Sequence, residues 1–371
     1  MDVKRKKRRK INALIPVAVF IAVLAVILII TNTVLHKDKK EREDATGNET
    51  SSTRQEETST EVMTTTQTPT TAEYDVEIAD ITVKSTVESL DLSGKTFDSP
   101  EALMEKLNEL KSLKYVDMCD CGFSNEEMEK FISEFPNVKF VWKIEIKEHG
   151  SIRTDAVAFS TLNNGTSTYR LTNEDAKVFK YCTDMRILDL GHNSITDLSF
   201  LKNMPELRIL IIVDDLNPED SSHYRITDIS DIRYCKKLSY LELFLNEISD
   251  ISALAELDNL IDINICHNRI SNIDALMNKP KLQRLYIKNN QISQQDAKRL
   301  EETYPDARVV YTGDFESTSD GWRFDENEVK HERYALMREI IEEVHGLAQC
   351  GIEDQDGKDI LEKHNFYSVF G

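Results

Sequence analysis

The sequence predicts an α/β solenoid, with a curved parallel sheet on its concave side, helices or turns on its convex side, and an N-terminal transmembrane helix. Three observations lead to this prediction. A motif of 22 residues recurs along the chain, each copy carries apolar residues at fixed strand positions, and one uncharged apolar run lies near the first residue. The 371 residues carry a net charge of −20 at pH 7. A body this acidic repels phosphates, so we predict no nucleic acid among its partners.

The apolar run follows a strongly basic stretch. The first ten residues, MDVKRKKRRK, contain seven Lys or Arg and one acid, whereas residues 11–35 contain no charged residue. A bilayer core of roughly 30 Å needs about 20 apolar residues as a helix, and a cleaved signal peptide has a core of only about 7–15. We therefore predict a signal-anchor helix at 11–33 that contacts the membrane. The basic end predicts a single-pass type II protein of the cell membrane, with a cytoplasmic N-terminus and an extracellular C-terminal body.

Residues 34–75 are rich in Thr, Ser and Glu and nearly free of apolar side chains. Such a segment cannot bury enough surface to offset the entropy of ordering its chain, so we predict a disordered stalk. The predicted domain plan is a basic cytoplasmic stub at 1–10, the anchor at 11–33, the stalk at 34–75, a repeat domain at 76–313 and a C-terminal capping helix and tail at 314–371.

The repeat domain is built on the spacing L-x-x-L-x-L-x-x-N-x-I, the signature of a leucine-rich repeat. Each copy should form one short strand, followed by a bend in which the Asn side chain satisfies open backbone groups. No copy can bury its own apolar face, so neighbours must stack into one core. The Asn column is occupied by Asn193, Asn246, Asn268 and Asn290. The predicted core positions are Leu188, Leu190, Leu241, Leu243, Ile263, Ile265, Leu285 and Ile287.

Two longer copies begin at Val87 and Leu113, and their second halves have helical spacing of apolar residues. Cys121 falls in the Asn column of the second copy, and Cys119 should point away from the core and be the more exposed of the two. The chain has six cysteines. An even number of cysteines is typical of a disulfide framework. Several of these cysteines lie at core or strand positions, however, which favours free buried thiols.

The chain after residue 313 contains apolar residues at helical spacing between Leu336 and Leu347. Terminal repeats of a solenoid need a polar outer cover. We therefore predict a helix folded back on the last repeat, with Trp322 packed there as well. A helix that binds a partner is the alternative.

The chain from about Val87 to the region of Trp322 resembles a large group of membrane-anchored bacterial leucine-rich-repeat proteins. The resemblance is carried by MCDCGFSNEEM, by FVWKIEI followed by RTDAVAF, by YCTDMRILDLGHN, by DLSFLKNMPELRIL and by DGWR. The 22-residue copies, with a Ser/Thr-Asp pair after the Ile, are similar to the internalin-type subclass. The resemblance implies the solenoid and a bacterial cell surface, and it implies neither an activity nor a ligand.

Strand residues that alternate with the core positions face the concave side. In the middle copies several of them are apolar, and contiguous apolar surface often marks an interaction site. Aromatic residues and Arg are also enriched at binding hot spots. The copy at Leu207 is interrupted by an insertion at 216–225, and a loop that covers this surface is an equally open alternative. The predicted binding residues are Ile209, Ile211, Val213, Tyr240, Glu242, Phe244, Asp262, Arg284, Tyr286 and Lys288.

The sequence predicts a binding protein rather than an enzyme. It contains no Ser-His-Asp order, G-x-S-x-G, H-E-x-x-H or phosphate-loop glycines, so we predict no catalytic residue, cofactor or metal. His192 and His267 share a concave column but lie roughly 15 Å apart, three strand spacings, too far to share a metal. We expect binding of a protein or peptide on the concave face. A structural scaffold of an envelope or secretion assembly, without a concave ligand, is the alternative.

Overall fold

The computed structural model describes residues 73–163, 169–213, 225–313, 321–325, 327–350 and 355–371. No helix within these ranges is long and apolar enough to cross a membrane. The predicted stub, the anchor at 11–33 and nearly all of the stalk lie outside the described residues. The predicted fold class and localisation are corrected accordingly: the repeat solenoid stands, whereas the transmembrane helix and the single-pass type II placement have no support in the structure.

The N-terminal part of the solenoid begins with an antiparallel hairpin of β1 (Asp75–Ile78) and β2 (Ile81–Lys84). A three-stranded parallel sheet follows, formed by β3 (Ser89–Asp91), β4 (Tyr115–Asp117) and β5 (Lys139–Val141). A second antiparallel hairpin, β6 (Lys143–Ile146) and β7 (Gly150–Arg153), separates this sheet from the next.

The second parallel sheet has seven strands that pair in chain order. They are β8 (Ala158–Ser160), β9 (Ile187–Asp189), β10 (Ile209–Ile211), β11 (Tyr240–Glu242), β12 (Asp262–Asn264), β13 (Arg284–Tyr286) and β14 (Arg308–Val310). The eight predicted core residues all lie in one buried apolar cluster. The leucine-rich-repeat solenoid predicted from the sequence is therefore confirmed for this part of the chain.

The return segments on the convex side are helical. The two long N-terminal repeats carry α1 (Pro100–Leu107) and α2 (Asn125–Glu134), which begin at serine caps. Short copies use α3 (Asn173–Ala176) or 3-10 helices, and the last repeat carries α4 (Gln294–Thr303). The 3-10 helices are Thr161–Asn163, Lys177–Tyr181, Ser199–Asn203, Ser230–Tyr234, Ser252–Leu254 and Asp274–Leu276. Three further helices close the chain: α5 (Glu332–Cys350), α6 (Gln355–Lys363) and α7 (Phe366–Phe370).

The predicted asparagine ladder is present. The Asn268 side chain accepts a hydrogen bond from the Ile248 backbone at 3.0 Å and donates to the Leu243 carbonyl at 2.9 Å, so it joins adjacent repeats. Asn246 and Asn290 make equivalent bonds. Cys121 takes the same role with its thiol, which donates to the Leu92 carbonyl at 3.0 Å. The ladder satisfies the backbone groups that each bend leaves open.

Candidate interaction surface on the concave face

The ten predicted binding residues lie together on the concave face of the seven-stranded sheet. Ile209, Tyr240, Asp262 and Arg284 stand in register across β10 to β13, and Ile211, Glu242 and Tyr286 form the next row. Each of the ten is at most 5% exposed. The concave face therefore carries the predicted residues, but in this structure it is covered.

The cover is the C-terminal segment, by which we mean the described residues 321–325, 327–350 and 355–371. A second apolar cluster, separate from the solenoid core, joins concave residues such as Tyr240 and Phe244 to this segment. Fully burying one large apolar side chain contributes roughly 1.5–3 kcal/mol, so a cluster of this size holds the cover strongly. The side chains that the segment contributes are Trp322, Tyr334, Met337, Ile340, Ile341, Val344, Ile360, Leu361, Phe366 and Phe370.

This arrangement corrects the predicted position of the C-terminal helix. Instead of capping the last repeat, α5 reaches across the sheet and contacts β8 at its far end. The insertion that was considered as a cover lies, apart from Arg225, outside the described residues. The physical reason is that the concave rows are themselves apolar, so the apolar side of an amphipathic helix packs against them.

Trp322 lies at the centre of the interface and is fully buried. Its ring centroid is 5.3 Å from that of Tyr240 and 5.0 Å from that of Tyr286. Its indole nitrogen donates a hydrogen bond to Glu242 Oε1 at 2.7 Å. The predicted packing of Trp322 on the final repeat is correct in part, because Tyr286 lies on β13 of the repeat that carries α4, but Trp322 also packs on Tyr240 of β11 on the concave face.

Glu242 is a fully buried carboxylate that collects four donors. The Tyr240 hydroxyl and Trp322 Nε1 donate to Oε1, while Arg323 Nε lies 3.0 Å from Oε2 and Arg323 Nη2 donates to the same oxygen. Burial lowers the pKa of Arg323, but the charge and hydrogen bonds of Glu242 outweigh it, and the net shift is upward. Burial and the same carboxylate raise the pKa of Tyr240 well above its ordinary value. The carboxylate thus faces a charged guanidinium and a neutral phenol.

Asp262 binds one guanidinium from its own sheet and another from the cover. Arg284 donates two hydrogen bonds to Asp262, from Nε to Oδ1 at 3.0 Å and from Nη2 to Oδ2 at 2.6 Å. Arg333 of α5 places Nη1 3.5 Å from Oδ2. Arg284 also donates to the Trp322 carbonyl at 2.9 Å and lies over its ring at 4.4 Å. The predicted site residues Asp262 and Arg284 therefore hold the cover from two strands.

Asp189 on β9 is the third buried carboxyl of the face, and it meets a third arginine. Arg338 Nη1 lies 3.5 Å from Asp189 Oδ2, and the Ser160 hydroxyl and Gly191 N–H donate to the carboxyl. Burial raises its pKa. Asp189 was not among the ten predicted site residues, and neither were Arg323, Arg333 and Arg338. A signal existed, since a carboxylate inside a row of apolar strand positions requires a partner.

Five cysteines are buried and form no disulfide in the described residues: Cys119, Cys121, Cys182, Cys235 and Cys266. This confirms the predicted buried thiols at these positions, but the predicted relative exposure of Cys119 and Cys121 was wrong. Cys119 is 3% exposed and Cys121 is 7% exposed. The reason is that Arg153 of β7 lies over Cys119, with Nη1 3.3 Å from its sulfur and 2.6 Å from Asp117. Burial raises the pKa of the Cys119 thiol, which makes it a poor nucleophile.

Comparison with known proteins gives similarity at the level of the repeat. Residues 181–198 match the family model described as Leucine Rich repeat. No curated protein matches the chain. Within the part of the chain that the structure describes, no group of three or more His, Cys, Asp or Glu side chains is placed to hold a metal ion.

Several solved structures are similar to parts of this chain. An internalin C2 of Listeria monocytogenes is 24% identical, with a TM-score of 0.31, and the alignment covers 46% of this chain and 81% of that one. An internalin F of the same organism is 20% identical at a TM-score of 0.30, covering 56% and 65%. A leucine-rich-repeat protein of Leptospira interrogans is 19% identical at a TM-score of 0.36, covering 61% and 55%. The chain is thus similar to leucine-rich-repeat proteins, and its own parallel sheets and asparagine ladder establish that fold.

Proposed function

We propose that this chain is a protein-binding scaffold and that the concave face of the seven-stranded sheet is its binding surface. The proposed role is binding rather than catalysis. The observation that carries it is the composition of the face: aromatic and aliphatic side chains at the centre, together with Arg284 and buried carboxylates. Protein interfaces are likewise enriched in aromatic residues and arginine at their centre, whereas Asp and Glu are depleted there, so the buried carboxylates distinguish this face.

The C-terminal segment occupies this surface, so a protein or peptide from another molecule binds only by replacing it. A tethered segment competes at an effective concentration of about 1 mM or more. A free peptide therefore gains access when the contacts of the tethered copy are weakened. Truncating one member of a buried charge pair costs about 2–5 kcal/mol, and each 1.4 kcal/mol is roughly a factor of ten in the binding equilibrium constant.

The test uses the full chain with Arg323→Ala and Arg338→Ala as the receptor. The probe is a fluorescent synthetic peptide of residues 321–371, and anisotropy reports its binding. We expect saturable binding to this variant, and binding at least about 100-fold weaker to the unmodified chain, because its tethered segment is intact. The matched control is Arg269→Ala with Arg299→Ala, two arginines whose side chains are 58% and 54% exposed. This control should behave like the unmodified chain.

The second candidate is a structural scaffold without a concave ligand. The burial of the C-terminal segment supports this candidate, since Trp322, Phe366 and Phe370 are all at most 1% exposed. If the peptide fails to bind the Arg323→Ala, Arg338→Ala receptor while circular dichroism shows that the receptor is folded, the binding proposal is wrong and the closed scaffold replaces it.

A further inference from the structure

The concave face presents three buried carboxyl groups on three different strands, and each meets a different arginine of the C-terminal segment. From this pairing we infer that the face selects segments with arginines, rather than lysines or neutral residues, followed by an amphipathic helix. The inference rests on the proposed binding function and names the chemistry of its partner. The pairs are Glu242 with Arg323, Asp262 with Arg333, and Asp189 with Arg338.

The groups around Glu242 are arranged to bind a guanidinium. Two nitrogens of Arg323 reach the same carboxylate oxygen, and the guanidinium carbon lies 5.4 Å from the Phe244 ring centroid and 5.2 Å from that of Tyr334. A planar, delocalised guanidinium can lie against two aromatic rings while two of its nitrogens donate to one carboxylate. A lysine ammonium is a point charge that neither stacks in this way nor supplies the second donor in the same plane.

The other two pairs, Asp262 with Arg333 and Asp189 with Arg338, bring opposite charges together but fix the orientation of the guanidinium less closely. Arg333 and Arg338 each approach their carboxylate at 3.5 Å, the distance of an ion pair rather than a short hydrogen bond. Asp262 is already held by Arg284, so Arg333 contributes a second cation to a satisfied group. We therefore expect the arginine preference to reside mainly at Glu242.

Burial makes a Glu242 carboxylate without a cation costly. The carboxylate has no exposed surface, and a buried charge without a counter-charge is strongly unfavourable. A competing segment that packs on the apolar residues but has no cation at this position leaves Glu242 with the Tyr240 hydroxyl as its donor from the sheet, because Trp322 and Arg323 leave with the C-terminal segment. The face thus rejects neutral amphipathic helices as well as favouring those with arginines.

The apolar side of the partner is defined by α5. Met337, Ile341 and Val344 recur three or four positions apart and belong to the apolar cluster of the concave face, whereas Glu339 and Glu342 are exposed. This spacing is that of one face of an amphipathic helix. The partner chemistry is therefore a protein segment with an arginine next to an aromatic residue, followed within about ten residues by such a helix.

The experiment compares three peptides of residues 321–371 on the Arg323→Ala, Arg338→Ala full-chain receptor: the native sequence, Arg323→Lys and Lys330→Gln. Lys330 is exposed, so its substitution removes a cation outside the three pairs. We expect Arg323→Lys to weaken binding by a factor on the order of ten and Lys330→Gln to change it by less than about twofold. On the same receptor carrying Glu242→Gln as well, the native and Arg323→Lys peptides should bind with similar affinity.

The outcomes separate the two proposals. If the native peptide binds and Arg323→Lys binds equally well on the receptor that retains Glu242, the arginine selection is overturned while the binding function stands. If no peptide binds a folded receptor, the proposed function itself fails. Should Glu242→Gln unfold the receptor, the Arg323→Lys and Lys330→Gln comparison on the parent receptor alone decides the inference.

Discussion

The concave faces of the two parallel sheets differ in composition and in what lies over them. On the three-stranded sheet, the register rows are Ser89, Tyr115, Lys139 and Asp91, Asp117, Val141, and both members from β3 are exposed. On the seven-stranded sheet, the same rows hold residues such as Ile209, Ile211 and Tyr240, all buried beneath the C-terminal segment. The apolar rows are buried beneath the C-terminal segment, whereas the polar rows are exposed at β3 and buried only at Asp117 and Val141.

The two regions also share one kind of ion pair. In each, a strand carboxylate is paired with an arginine from outside the parallel sheet: Arg153 lies 2.6 Å from Asp117, and Arg323 pairs with Glu242. The first arginine comes from the adjacent hairpin, 36 positions away, and the second comes from 81 positions away. The same local chemistry therefore fastens a neighbouring hairpin in one region and a distant segment in the other.

The largest effect is expected from Trp322→Ala, which removes the centre of the cover. Truncation of a buried aromatic side chain costs about 3–5 kcal/mol, and here it also removes a donor from Glu242. Tyr115→Ala, a truncation of a half-buried ring on the three-stranded sheet, should cost less. Urea unfolding measures both. Equal losses of unfolding free energy would contradict the contrast between the two faces.

A smaller and more local effect is expected from Arg153→Ala. Asp117 and Asp155 are buried and lose their shared cation, but the Arg153 side chain is 15% exposed, so water partly compensates. We expect a loss of about 1–3 kcal/mol. Hydrogen exchange should accelerate in β4 and in the β6–β7 hairpin and stay unchanged in β11 and β12. Faster exchange throughout the seven-stranded sheet would show that the two regions are not independent.

The sequence allowed the solenoid to be predicted because its determinants are local. The column of Asn246, Asn268 and Asn290 repeats every 22 residues, and the alternation within each copy assigns core and concave positions without knowledge of distant contacts. The cover was not predictable in the same way. Its key contact joins Glu242 to Arg323, which lies 81 positions away in the sequence. Arg323 lies outside the repeats, so the repeat pattern does not indicate that the two residues meet. The buried acids within apolar rows were the only local indication that arginines had to arrive from elsewhere.

The smallest effect concerns pH and belongs to the covered face alone. Burial raises the pKa of Asp189 above its ordinary value of 3.8. A carboxyl with a raised folded-state pKa binds more protons in the folded chain than in the unfolded chain. The free energy of unfolding therefore falls as pH rises from about 4 through the raised pKa. Asp189→Asn should remove the contribution of this carboxyl to the decrease in unfolding free energy with rising pH. Urea unfolding across that range checks it, and an unchanged pH dependence would refute the assignment.

Glu242 is the concave-face group through which we expect the C-terminal segment to be held. The most direct measurement is a double-mutant cycle with Glu242→Ala, Arg323→Ala and the double variant, using urea unfolding of the full chain. Because each single change leaves a buried charge without its partner, we predict a coupling energy of at least about 1.5 kcal/mol. Losses that add to within about 0.5 kcal/mol would mean that the two groups do not meet, and would contradict the account.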